Sequence, residues 1–110
     1  MPGLMKKNLD APDETMSYPD GSRAQMLALG ESFVARSTLL PGWSWDTQVR
    51  RYGGGPSCPM THREYVVSGR IRYVFDDGSE AEAQPGDHLL IPPGHRGAVI
   101  GGEPCVLLDW

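Results

Sequence analysis

The sequence predicts an all-β fold, a small barrel or sandwich of short antiparallel strands. Three observations carry that prediction. The 110 residues include 14 glycines and 10 prolines, placed as turns between short apolar runs. Within those runs apolar and polar residues alternate, the period of a strand with one buried face. No stretch sustains the apolar spacing of an amphipathic helix. A chain of this length supports a single core, and about eight strands would leave exposed edges unless the sheet closed or stacked on another.

The elements follow in order. Met1 to Asp20 is polar and rich in Asp and Pro, so residues 1–20 are expected to form an arm that orders only by packing on something. Residues 21–110 are expected to form one domain. Gln25–Leu29 and Ser32–Leu40 read as strands joined at Gly30-Glu31, with Phe33, Ala35, Ser37 and Leu39 sharing a face. A Pro41-Gly42 break leads to Trp43-Ser44-Trp45 and an expected strand from Val49 to Tyr52. Gly53-Gly54-Gly55-Pro56 then permits a bend. Glu64–Phe75 is the clearest strand region, interrupted at Ser68-Gly69 and closed by the hairpin signal Asp76-Asp77-Gly78. Glu80–Gln84 and His88–Ile91 are short strands on either side of a Pro85-Gly86-Asp87 turn. Two prolines stop the second of them. Ala98–Ile100 and Cys105–Trp110 are expected to pair as a final hairpin across Gly101-Gly102-Glu103-Pro104.

Composition narrows the function. The net charge is −4 and the Lys and Arg are scattered, so nothing supplies the basic face that nucleic acid or an anionic membrane needs. Met1 to Lys7 has no apolar core of secretory-signal length. No uncharged window of about 18 residues could span a bilayer. The expected location is the cytoplasm, where Cys58 and Cys105 would be reduced thiols. Cys105, among Pro104, Val106 and Leu107, reads as a core residue. Cys58 precedes His62 and is the candidate site cysteine. G-x-S-x-G, P-loop, dinucleotide and H-E-x-x-H motifs are all absent.

From about Pro41 to Trp110 the chain resembles the cupin superfamily of jelly-roll barrels. The second cupin motif, G-x5-P-x-G-x2-H-x3-N, is matched at Gly86, Pro92 and Gly94, and the first at Gly69. The strings Val67-Ser68-Gly69-Arg70 and Pro92-Pro93-Gly94-His95 resemble a branch of small single-domain cupins. The resemblance implies a site inside the barrel and a homodimer paired through N-terminal strands. The usual three-histidine, one-glutamate ligand set does not carry over: the motif places fall on Pro56, Cys58 and His62, and on Gly97 where the last histidine would be.

What remains is Cys58, His62 and His95. By strand parity all three share the face that carries ligands in the family. Thiolate and imidazole are preferred zinc donors, so these residues are the candidate metal set for a divalent ion, zinc first, then iron, nickel or manganese. The alternative is a cupin without metal, with a buried thiol and a hydrogen-bonded core histidine. An extended chain would hold positions 58 and 62 about 13 Å apart, so either use requires a bend at Pro59.

Glu64 lies two residues past His62, on the same side unless a bulge reverses the register, and is the candidate acid or base. Tyr73 and Tyr65 fall on opposite faces, and Tyr73, with Ile71 and Phe75, is expected to point inward. Tyr73, Trp45 and Arg50 are the candidate substrate-pocket residues. Trp43 is expected to pack at the rim, Arg51 to face away from Arg50, and His88 to be structural. Two functions are open on these residues. One is a metal-dependent enzyme acting on a small polar metabolite by lyase, isomerase, hydrolase or oxygenase chemistry. The other is a sensor module that binds a small molecule or metal without turnover.

Overall fold

The computed structural model describes residues 3–110. The nine strands among them are β1 (Glu14–Ser17), β2 (Arg23–Leu29), β3 (Ser32–Leu39), β4 (His62–Ser68), β5 (Arg70–Phe75), β6 (Glu80–Ala83), β7 (His88–Ile91), β8 (His95–Ile100) and β9 (Cys105–Asp109). They form two antiparallel sheets, of order β1-β2-β3-β9-β4-β7 and β6-β5-β8. The alternation read from the sequence decides which face of each strand meets the core. In β4, His62, Glu64 and Val66 point inward, whereas Arg63, Tyr65 and Val67 are exposed. In β5, Ile71 and Tyr73 are buried while Arg70 and Arg72 are exposed. Leu39, Val66, Ile71, Ala83, Ile91 and Leu107 close the space between the sheets.

The chain changes sheet at Gly69, which links β4 to β5. Its φ of +73° suits glycine. A Cβ there would stand 2.2 Å from the carbonyl oxygen of Pro104, so the two crossings between sheets are packed backbone to backbone.

Two segments differ from the sequence expectation, and the packing of the arm is defined. Within the arm, Thr15 pairs with Gln25 and Met16 with Ala24, so β1 is the edge strand of the larger sheet. Tyr18 then meets Trp43 edge to face, with ring centres 5.4 Å apart. Met1 and Pro2 of that arm lie outside the described residues.

The strand expected from Val49 to Tyr52 is absent. Trp45–Gln48 forms a helical turn, α1, followed by a 3-10 turn over Arg50–Tyr52. The cause is local: the Ser44 side chain accepts a hydrogen bond from the Thr47 amide, Asp46 sits in the first turn, and Gly53 ends the segment at a φ of +93°.

The final hairpin is also absent. β8 pairs with β5 in the small sheet, whereas β9 lies between β3 and β4 in the large one. Gly101 to Pro104 is therefore a crossing between sheets. His95 and Gly97 on β8, like Cys105 and Leu107 on β9, have buried side-chain positions. Placing the strands in opposite sheets lets both sets face the same core.

Candidate functional site

The two sheets enclose a cavity of about 370 Å³. The segment from Ser44 to Thr61 connects β3 to β4 of the larger sheet along one side of it. Two isolated bridges hold this segment, Ser44 to Ala98 and Cys58 to His95. At the second, the Cys58 amide donates to the His95 carbonyl and the Gly94 amide donates to the Cys58 carbonyl, each at 2.8 Å. This pairing turns the chain before β4 begins. The Cys58 Sγ and His62 Nε2 consequently lie 3.5 Å apart, across a span where an extended strand would hold the residues far from contact.

His95 enters from β8, its ring centre 5.0 Å from that of His62. The donor atoms of Cys58, His62 and His95 all lie within 4.8 Å of one another. His95 Nδ1 is 2.7 Å from the Pro92 carbonyl oxygen. A carbonyl only accepts, so Nδ1 carries the proton and Nε2 keeps its lone pair. That is the arrangement in which a histidine is held ready to ligate through Nε2. By donor chemistry, convergence and tautomer, the three residues fit a divalent ion of the zinc type.

Gly97 stands at the motif place of the missing histidine, and the structure shows what fills that space. A Cβ on Gly97 would lie 3.1 Å from Tyr73 Cε1 and 3.3 Å from Ile71 Cδ1. The ring of Tyr73 takes the room a side chain would need, and His95 reaches the centre from two residues earlier.

Glu64 is 4 % exposed and faces the cavity. The Tyr73 hydroxyl donates a hydrogen bond to its carboxylate. Burial, and then the Glu64 charge, push the Tyr73 hydroxyl well above the usual phenol range, so it stays protonated and keeps donating. His62 lies below the usual imidazole value because burial disfavours its charged form; the Glu64 charge opposes this and His95 adds to it.

One site residue has no counterpart in the sequence expectation. Asp109 of β9 pairs directly with Glu64 of β4, and the side chains of His62, Glu64 and Asp109 form a second group with donor atoms within 4.8 Å. Burial, then the Glu64 charge, raise Asp109 far above the ordinary carboxylate range, and its Oδ1 is buried without a hydrogen-bond partner. The half-buried Asp109 carboxyl beside Glu64 thus keeps its proton at neutral pH. The available signal was parity, since Asp109 follows Cys105 and Leu107 on the inward face.

The other expected residues divide. Tyr73 and Trp45 line the cavity; the Trp45 indole donates to the Gly55 carbonyl at 3.0 Å. Trp43, expected at the rim, is buried in the core and also lines the cavity. Arg50 does not. The turn that replaces the expected strand leaves it exposed, 3.7 Å from Asp46 and outside the cavity wall. His88 is exposed and stacks on Trp110 with ring centres 5.1 Å apart. Cys105 is fully buried, and burial followed by the Glu64 charge pushes its thiol up to about 12.

No family model and no curated protein sequence matches the chain. Solved structures do. The polyketide cyclase RemF from Streptomyces resistomycificus aligns over 97% of this chain and 78% of its own, at 18% identity and a TM-score of 0.67. A sugar phosphate isomerase of the cupin superfamily from Silicibacter pomeroyi aligns over 96% of this chain and 73% of its own, at 21% identity and a TM-score of 0.67. A cupin 2 conserved barrel domain protein from Salinispora arenicola covers 99% of this chain and 90% of its own, at 19% identity and a TM-score of 0.63. Identities this low speak to architecture alone, and on that ground, with its two antiparallel sheets around an interior cavity, this chain shares the fold of these cupin structures.

Proposed function

We propose that this cupin-fold protein binds a divalent metal ion through Cys58, His62 and His95 and uses the cavity beside it to bind, and to convert, a small molecule. The observation that carries the proposal is the convergence of one thiol and two imidazoles from three separate segments within 4.8 Å. Zinc is the first choice for that donor set. When bound, the ion would supply Lewis acidity to a ligand oxygen.

The chain's own residues would handle the proton. The Glu64 carboxylate, supported by the Tyr73 hydroxyl, is the base. Asp109, held protonated beside it, supplies a proton in return. A second reading, binding without turnover, is favoured by the apolar and aromatic walls of the cavity, which suit a binding barrel equally well. A homodimer paired through the N-terminal strands belongs to the proposal. Sedimentation of a protein beginning at Ser22 tests it, and an unchanged oligomeric state counts against that segment.

Elemental analysis of the purified protein tests the metal site. Near-stoichiometric metal, lost in both Cys58→Ser and His62→Ala, is the expected result. Metal content unchanged in His62→Ala removes the proposed ligand set. No metal in any sample, even after incubation with divalent ions, leaves the binding barrel.

A further inference from the structure

The cavity also constrains its ligand, and this step rests on the proposal that the cavity is the ligand site. Its thiol, imidazole and carboxyl groups gather in one place. Cys58, His62, Glu64, His95 and Asp109 form two groups joined through His62. Beyond them the walls are mainly apolar and aromatic, with Met16, Tyr18, Leu39, Trp43, Trp45 and Met60 among them, and Ser37 is a separate polar residue. Among the described residues, no lysine or arginine lines the cavity. Met16 and Met60 line it and remain 46 % and 61 % exposed, so they lie at its mouth.

We infer that the cavity takes an uncharged, flat, mainly apolar molecule, an aromatic ring system with a single hydroxyl or carbonyl as its polar end. An anionic ligand would give up its hydration without meeting a lysine or arginine side chain. Aromatic walls favour flat rings, and unbranched methionines at the mouth adapt to their outline. The single polar cluster fixes orientation by turning the hydroxyl or carbonyl towards His62 and His95. This ligand is more apolar than the small polar metabolite expected from the sequence.

The test is calorimetric titration at neutral pH with 1-naphthol, 1-naphthoate and glucose 6-phosphate, on the protein as isolated and after chelator treatment, with metal content measured in each sample. 1-Naphthol is expected to bind at least about tenfold more tightly than 1-naphthoate in both samples, the ratio set by leaving one charge uncompensated. Glucose 6-phosphate is expected to give no binding heat. Met60→Lys, which adds a cation at the exposed mouth, is expected to narrow the naphthol-to-naphthoate ratio several-fold. Tighter binding of naphthoate or of the sugar phosphate, or no binding of naphthol, overturns the inference. No metal in the protein as isolated, nor after incubation with divalent ions, together with a retained preference for naphthol, overturns the metal site alone.

Discussion

β4 and the Ser44–Thr61 segment before it both deliver side chains to the same centre, and they do so by opposite means. β4 is held along its length by β7 and β9. Strict alternation sends His62 and Glu64 inward and Arg63 and Tyr65 outward. The preceding segment has two short helical turns and two isolated bridges, and Cys58 is aimed by its pairing with His95. A sheet thus fixes a ligand by period, whereas a connecting segment fixes it by a few long-range hydrogen bonds. The first should fail cooperatively with the fold. The second should fail locally, and the site can lose Cys58 without losing its barrel.

The largest effect is expected where β4 ends. Gly69→Ala adds a Cβ 2.2 Å from the Pro104 oxygen and forces alanine to a φ of +73°. Steric overlap and backbone strain together should cost about 3 kcal/mol or more. Urea denaturation reads this directly, and a loss under about 1 kcal/mol would show that the crossings between sheets are looser than drawn.

Asp109 is the partner of β4 at the site, and its raised folded-state pKa has a definite sign. Below the unfolded value of 3.8 both states hold the proton and its stabilising contribution is complete. As pH rises from there towards the raised folded value of about 9, the unfolded chain ionises while the folded carboxyl does not, so that stability is lost. His62 works in the other direction, costing stability as pH falls below 6.5 because its folded value is lowered. Asp109→Asn in metal-free protein should therefore raise the melting temperature at pH 7, by a gain on the order of 1 kcal/mol that shrinks towards pH 4. A gain independent of pH would place the effect in packing and not in ionisation.

In the preceding segment the effects should be smaller. Ser44→Ala removes the 3.1 Å cap on the Thr47 amide. It should cost about 1 kcal/mol of stability, the ordinary worth of such a cap. Because Ser44 shares this segment with Cys58, metal affinity is the sharper readout. A drop in metal content with little change in global stability is the local failure expected here, whereas a proportional loss of both would make the segment part of the cooperative unit.

How far the sequence revealed all this follows the same division. Parity along β4 and β5 pointed Tyr73 inward and Tyr65 out, and left Glu64 open only to a bulge after Thr61; the unbroken alternation of β4 buries it, because a buried face constrains every second residue. Gly69 and Asp76-Asp77-Gly78 marked their turns by backbone chemistry alone. α1 is too short to show a helical period, and its trace in the sequence is a cap, Ser44 ahead of Asp46 and Thr47. The bend that brings Cys58 to His62 depends on pairing with His95, far along the chain. Asp109 was hidden for a related reason: its parity was visible, but its register against Glu64 is set by where β9 enters the sheet, and Gly101 to Pro104 reads as a hairpin as readily as a crossing.

Arg50 gives the smallest expected effect and the cleanest discrimination between the two backbone paths available to its segment. On an extended path through Val49 to Tyr52, one of Arg50 and Arg51 faces the interior, and an anionic ligand would find a cation there. On the helical path both are exposed, and Arg50 has only Asp46 at 3.7 Å for company, a surface pair worth a few tenths of a kcal/mol in water. Arg50→Ala should therefore change stability by less than about 0.5 kcal/mol and leave ligand affinity unchanged. The measurement that matters is binding of 1-naphthoate beside 1-naphthol. If the substitution selectively weakened the anion by about tenfold, a cation would have to stand inside the cavity. The segment would then be extended in the bound protein, and the uncharged character assigned to the ligand would fall with it.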